Sequence, residues 1–312
     1  MEVDRDLIII GGGAAGLSAA QYAARANLKV MLIEEMAAGG QCLIIGDIEN
    51  YPGFPEPVSG GELAELMEEQ ARNFGTEFLI TTVTSISKEG DIFTVETPKG
   101  NYTSYAVIAA TGAKHRALGV PGEKEFTGRG VSYCATCDGP FFKNKKMLVV
   151  GGGDAACDEA SYLANLSDKI VMIHRRDRFR AQKSLAERVL HNENIEVRFN
   201  HHLKEIKGTM KVTGVVLENT DTGETYEEEM DAVFVFIGSD PQTKLLPEEV
   251  KKDEAGYVIT DQCMETNMKG LYSAGDVRSS PFRQLVVSAG EGAIATHCAS
   301  QRIDAIKGQA YE

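Results

Sequence analysis

The sequence is poor in cysteine, poor in positive charge relative to negative, and without long apolar runs. Six cysteines in 312 residues, only two of them near neighbours, exclude a small secreted scaffold that relies on a dense disulfide framework. Lys plus Arg total 32 against 46 Asp plus Glu, a net charge of −14. That balance argues against nonspecific binding along nucleic acid, because phosphate neutralisation requires clustered cations. No apolar stretch approaches the roughly 20 residues that span a bilayer, so no membrane partner is expected. The first six residues carry Glu2, Asp4 and Asp6, whereas a secretory signal starts basic and has a longer apolar core. A cytoplasmic location is therefore expected, and in a reducing cytosol a close cysteine pair points to redox or metal chemistry.

What is present is ordinary globular material, 43% hydrophobic and 25% charged, in a chain long enough for two domains. Residues 7–10 are apolar and rich in β-branched side chains, as in a buried parallel strand. They enter Gly11, Gly13 and Gly16 at G-x-G-x-x-G spacing, followed by a helical stretch over 17–26 and a strand over 29–33 that ends at Glu34. Gly11 permits the tight turn, Gly13 lets the backbone approach a pyrophosphate, and Gly16 lets the helix pack on the strand. The helix N-terminus then holds the phosphates. Glu34 can accept hydrogen bonds from ribose hydroxyls.

The same unit recurs. Residues 147–150 enter Gly151, Gly153 and Ala156, a helix runs to about 166, and a strand over 169–173 ends at His174. Gly11 to Glu34 and Gly151 to His174 are both 23 residues. The ends differ in chemistry: His174 is followed by Arg175 and Arg176, then Arg178 and Arg180. A carboxylate there would repel a ribose 2′-phosphate, while guanidinium groups would bind it. The second unit therefore prefers NADP, and the first suits a dinucleotide with a free 2′-hydroxyl, FAD or NAD.

Cys134-Ala135-Thr136-Cys137 precedes the second unit. It can be read as half of a zinc site, as buried structural thiols, or as a dithiol–disulfide pair. Structural zinc wants four ligands, and there is no second C-x-x-C, so no metal site is expected. The redox reading is favoured, since two intervening residues allow a small disulfide ring that opens without a large backbone movement. Asp138 sets a proton donor or acceptor beside the leaving thiolate, although it also suits a turn before Gly139-Pro140. Cys157 and Cys298 lie in Ala-rich helical segments and read as core; Cys263 has no evident partner.

Taken together, the chain resembles the low-molecular-weight, bacterial-type thioredoxin reductases of the pyridine nucleotide-disulfide oxidoreductase family. The resemblance runs from end to end. It rests on the two glycine motifs, Gly39-Gly40-Gln41, Glu49-Asn50-Tyr51-Pro52-Gly53 and Ala110-Thr111-Gly112-Ala113. It rests further on Cys134-Ala135-Thr136-Cys137-Asp138-Gly139, His174-Arg175-Arg176, Ala274-Gly275-Asp276 and Arg283-Gln284. It implies an α/β fold with two Rossmann-like, three-layer ββα nucleotide-binding domains. The FAD domain would be discontinuous, over 1–116 and 247–312, with an NADPH domain carrying the cysteine pair inserted at 117–246.

The resemblance also implies roles. FAD contacts are expected from Gly11, Gly13, Gly16, Glu34, Gly40, Gln41, Asn50, Thr111, Gly112, Gly275, Asp276, Arg283 and Gln284. NADPH contacts are expected from Gly151, Gly153, Asp154, His174, Arg175, Arg176 and Arg180. NADPH would reduce the flavin and the flavin the Cys134–Cys137 disulfide, with Cys137 facing the flavin. Cys134 would attack the disulfide of thioredoxin, and Asp138 would manage the proton. A homodimer is implied, as is rotation of the NADPH domain between half-reactions. The departures are Cys42, whose glutathione-reductase-type partner position is filled by Asp47, Gln242 in place of Asn, and Asp154 beside the pyrophosphate position. A ferredoxin-fed relative would be expected to lack the arginines after His174. A reductase of a glutaredoxin-like carrier and a non-catalytic redox sensor remain as alternatives.

Overall fold

The structure, a computed structural model, describes residues 3–45 and 47–309. The chain forms two compact units, one up to Lys114 together with the residues from Asp240, the other His115–Ser239.

Among the described residues, the first unit holds a seven-stranded sheet. Its central strand, Arg5–Ile10, pairs in parallel with Val30–Glu34 on one side and Gly100–Ala109 on the other. Glu77–Ile80 and Leu271–Ser273 extend the parallel set outward. The strand Gly100–Ala109 serves two environments. Its second half is parallel to the central strand, and its first half pairs antiparallel with Ile92–Thr97, which continues to Ser85–Glu89. Leu7 and Ile9 face a helical layer with Ala19, Ala20, Ala295 and Ala299. Ile8 and Ile10 face Phe93, Val95 and Val258 on the opposite side. Burial on both faces is why the strand is continuously apolar rather than alternating.

Two helices, Ala14–Arg25 and Leu285–Ile306, lie close together because their facing residues are small. A Cβ on Gly292 would stand 2.1 Å from the Ala15 carbonyl oxygen. Polar side chains bond across this seam: Ser18 Oγ donates to Ala289 O at 2.7 Å, and Thr296 Oγ1 donates to Ala19 O at 3.0 Å.

In the second unit a five-stranded parallel sheet runs in the order Val131–Ser132, Ala232–Phe236, Met147–Gly151, Ile170–His174, Ile195–Phe199. Met147, Val149, Met172 and Phe234 pack on Ala156, Cys157 and Ala160 of the helix Asp154–Leu163. Leu148, Val150 and Val171 pack on Leu203, Ile206 and Val215 of an antiparallel sheet, His201–Gly208, Val212–Asn219 and Thr225–Glu229. This is the expected ββα layering.

Two sequence expectations are corrected. Residues 240–246, assigned above to the inserted domain, belong to the first unit. Gln242 N–H donates to Gly112 O at 2.9 Å, Thr111 Oγ1 donates to Gln242 O at 2.7 Å, and Leu246 joins the core with Val250 and Val258. Residues 115 and 116 go with the second unit, Arg116 N–H donating to Gly238 O. Cys263 does have a partner: it forms a disulfide with Cys298, with Cα atoms 5.8 Å apart. A chain separation of 35 residues hid the pairing from spacing arguments.

Gly292→Ala is expected to wedge the two helices apart and destabilise the protein by about 1–3 kcal/mol, measured as a lowered midpoint in urea unfolding with an unchanged slope.

Candidate active site

In the first unit the turn after the central strand is built for a close ligand approach. Gly11 adopts φ 102°, and a Cβ on Gly16 would fall 1.8 Å from Gly11 O. A Cβ on Gly13 would meet nothing within 4 Å, and Gly13 caps the helix Ala14–Arg25 without a side-chain bond. The helix N-terminus thus presents N–H groups and a positive dipole end to open space, the setting that holds a pyrophosphate. Glu34 first holds this turn: Oε2 accepts from Gly12 N–H at 2.6 Å, and Oε1 accepts from Glu35 N–H at 2.8 Å and Met36 N–H at 3.2 Å.

The other expected residues of this unit gather in pairs. Gly40 lies over Gly13, its Cβ direction 3.1 Å from Gly13 Cα. Gln41 Nε2 donates to Ala113 O at 2.9 Å and to Asp276 Oδ2 at 3.3 Å. Asn50 Nδ2 donates to Gln284 Oε1 at 3.0 Å. Burial raises the Asp276 carboxyl pKa, against opposition from Arg283, Ser288 and Gln41. Its Ser288 bond, like the Gln41 bond, is long, at 3.4 Å. A carboxylate so placed has acceptor capacity left for a hydroxyl donor. The Gly275 turn is held by buried Glu291, which accepts Gly275 N–H at 2.8 Å and pairs with Arg278. Arg283 stacks its guanidinium 3.9 Å from the Tyr257 ring centroid.

The second unit contains a cavity of about 840 Å³ lined by Gly151–Ala156, His174, Arg175, Arg176 and Arg180. Arg175, Arg176 and Arg180 are exposed and free to meet an anion. Arg180 N–H donates to Gly152 O at 2.7 Å, which brings its side chain back to the glycine turn. His174 is buried against that turn, and its Nε2 has no hydrogen-bond partner. Burial lowers its pKa, opposed by a backbone hydrogen bond with Gly151 and reinforced by the three arginines. Asp154 is turned toward Gln182, accepting its N–H at 2.7 Å and its Nε2 at 3.2 Å. These contacts draw its charge away from the glycine backbone. Arg116, His201 and His202 also line this cavity; they are distant in sequence and no motif marks them.

Cys134 and Cys137 form a disulfide, with Cα atoms 5.3 Å apart. Cys134 caps the short helix Ala135–Asp138, its Sγ accepting Cys137 N–H at 3.2 Å and lying 3.4 Å from Thr136 Oγ1. Ser132 braces the turn, with its hydroxyl accepting Cys134 N–H at 3.1 Å. Burial raises the pKa of Asp138, partly offset by a hydrogen bond with Ser132. The helix is seated through Ala135, which is fully buried against Ala156 and Ala160. Gly139 lies under Leu163 and Leu166. One helix, Asp154–Leu163, therefore carries the nucleotide turn at its start and the redox turn along its side.

The pattern of pyridine nucleotide-disulphide oxidoreductases matches residues 5–295. The chain belongs to that family. It is 53% identical over 307 residues to the thioredoxin reductase of Treponema pallidum (strain Nichols), covering 98% of this chain and 100% of that one. It is 44% identical to the thioredoxin reductase of Peptoclostridium acidaminophilum, covering 98% and 99%. The crystal structure of thioredoxin reductase from Streptococcus pyogenes MGAS5005 superposes with a TM-score of 0.93 at 43% identity, covering 96% of this chain and 98% of that one. No helix among the described residues is long and apolar enough to cross a membrane.

Sequence reasoning missed Glu159, on the side of the shared helix. Its carboxylate accepts from Ala135 N–H, and its buried Oε2 has no hydrogen-bond partner. Burial pushes its pKa up to about 7. The signal was present, a Glu five residues after Asp154, but nothing in the spacing indicates what it faces. Cys42 and Cys157 are buried, and burial pushes both thiols up to about 11, so neither is a nucleophile at neutral pH.

Because the folded-state pKa of Glu159 lies above its unfolded value, the folded state holds the extra proton between about pH 4.5 and 7. Stability is lost as pH rises through that window. Glu159→Gln removes the penalty and keeps an acceptor for Ala135 N–H. Its gain over wild type should be near zero at pH 4.5 and on the order of 1–3 kcal/mol at pH 8, read from paired urea melts across pH.

Proposed function

We propose that the chain is an NADPH-dependent thioredoxin reductase that uses FAD. The observation that carries this reading is the Cys134–Cys137 disulfide packed on the same helix whose first turn opens an arginine-lined nucleotide cavity. The near-complete coverage of relatives named thioredoxin reductase supports the disulfide partner.

When bound, the nicotinamide and the flavin would supply the hydride transfers that deliver two electrons to the cysteine pair. NADPH fits the second unit. Gly151 and Gly153 leave room for the pyrophosphate at the start of the helix, and Arg175, Arg176 and Arg180 suit a 2′-phosphate. The unpartnered His174 Nε2, at the cavity wall, is left to meet the ligand. FAD fits the first unit. Gly11, Gly13 and Gly16 form the pyrophosphate turn, Glu34 can still take a ribose hydroxyl, and Asp276 has capacity for a hydroxyl. Gly40, Gln41, Asn50, Thr111, Gly112, Gly275, Arg283 and Gln284 would frame the rest.

Two electrons and two protons convert the Cys134–Cys137 bond to two thiols. Cys137 N–H and the Thr136 hydroxyl favour a thiolate on Cys134, because both can donate to it. That thiolate attacks one sulfur of the thioredoxin disulfide and forms a mixed disulfide; Cys137 then displaces it. Thioredoxin leaves as a dithiol and the Cys134–Cys137 bond is restored. Asp138, with its raised pKa, can hold the proton that the departing thiolate needs. A homodimer and a cytoplasmic location belong to the same proposal.

The deciding assay is thioredoxin-dependent NADPH oxidation, run in parallel with NADH. Cys134→Ser should keep reduction of bound flavin by NADPH yet lose disulfide turnover; surviving turnover would reassign the attacking thiol. Changing Arg175 and Arg176 together to Ala should raise the KM for NADPH roughly 10- to 100-fold with little change for NADH. An equal loss with both donors would reject the 2′-phosphate assignment.

A further inference from the structure

The second disulfide, Cys263–Cys298, is not used by the reaction above. Cys263 sits in a surface turn and Cys298 on the helix Leu285–Ile306. Both are half-buried, unlike the fully buried Cys42 and Cys157. We propose that Cys263–Cys298 is a second thiol–disulfide exchange site, opened by a protein dithiol of the thioredoxin kind, and that opening it loosens the chain segment it brackets.

Three observations carry this. The first is what the bond encloses. Between the two cysteines lie the strand Leu271–Ser273, the Gly275-Asp276 turn, Arg283, Gln284 and Glu291. The cross-link therefore closes a loop around the whole C-terminal contribution to the first unit's candidate cofactor site, and it limits that segment's freedom when local contacts open.

The second is how each end is fixed. Asp261 accepts the N–H groups of Cys263 and Glu265, both at 2.9 Å. Met264, beside Cys263, is held at φ 62° with its side chain buried in the core. That left-handed conformation is costly for a residue with a Cβ, and it persists where the surroundings over-determine it. On the other side, Thr296 ties the helix to Ala19 and Glu291 ties it to Gly275. The disulfide joins this constrained turn to the helix that seats the Gly275 turn.

The third is access. Exchange requires that a thiolate from another protein reach a sulfur, and both cysteines keep part of their surface in solvent, next to the exposed Asp261, Gln262 and His297. The exchange balances. One thiol of the partner, as thiolate, attacks one sulfur and breaks the Cys263–Cys298 bond, giving a mixed disulfide. The partner's second thiol then displaces the remaining sulfur. Two electrons and two protons pass to Cys263 and Cys298, and the partner leaves with its own disulfide. The supply of such a dithiol by this chain rests on the proposed function; the exchange itself does not.

The experiment separates the two. Holoprotein purified without reductant is treated with thioredoxin that has been chemically pre-reduced and freed of reductant. It is quenched in acid, alkylated, digested and mapped by mass spectrometry. The Cys263 and Cys298 peptides should be cross-linked before treatment and alkylated after it. A parallel arm uses NADPH with catalytic thioredoxin. Labelling in the pre-reduced arm alone keeps the exchange site and rejects the proposed electron route. Free Cys263 in the starting protein, or a cross-link that survives pre-reduced thioredoxin, overturns the proposal. Cys263→Ser should melt about 5 °C below the oxidised wild type by circular dichroism and release flavin fluorescence at the lower temperature. Treated wild type should fall to the variant's value. An unchanged melting temperature in both the variant and the treated protein overturns the loosening.

Discussion

At Gly16 a Cβ would lie 1.8 Å from the Gly11 carbonyl oxygen, and at Gly151 a Cβ would lie 2.5 Å from the Phe236 carbonyl oxygen. Backbone meets backbone at these junctions with no room for a side chain. In the first unit the Gly16 contact lets the helix start tight against the strand, and in the second the Ala156 Cβ, 2.6 Å from where a Gly151 Cβ would stand, marks the same close seat, so the helix N-terminal N–H groups open at the carboxyl edge of the sheet. The rest of the first unit follows from that seat. Glu34 steadies the Gly12 turn, Gly40 closes over Gly13, and Gly292 admits the last helix against Ala15.

In the second unit the same constraint has a chemical consequence. The helix Asp154–Leu163 is seated by the glycine turn, and the redox turn is seated on that helix through Ala135 and Gly139. The cavity and the disulfide are therefore built on one rigid element. Burial along this helix shapes the local electrostatics: Glu159 and Asp138 both hold their protons more tightly than ordinary carboxyls, and His174 holds its proton less tightly. The exposed arginines line the cavity, where an anion would meet them.

Much of this was legible in order along the chain. The two βαβ beginnings, the arginines after His174 and the C-x-x-C pair are local patterns, and local patterns report backbone geometry and residue chemistry directly. What each carboxylate faces was less legible. Glu34 serves the Gly12 turn as well as any ribose, and Asp154 is drawn to Gln182, 28 residues on. The unit boundary moved from 247 to 240 because Gln242 and Leu246 bond and pack into the first unit, and a loop's allegiance depends on packing that composition does not record.

By itself the sequence determined the two strand–glycine-turn–helix beginnings and favoured redox chemistry for the Cys134–Cys137 pair, because strand patterning, glycine spacing and a two-residue gap act over a few residues; the layering followed only from the family resemblance. Only the tertiary structure decided that Cys263 meets Cys298 and that Glu159 lies beneath Ala135. It also decided that Arg116, His201 and His202 share a cavity with the glycine turn. These are meetings of residues far apart in the chain or on faces that spacing does not specify, and packing of helices and sheets is what brings them within reach.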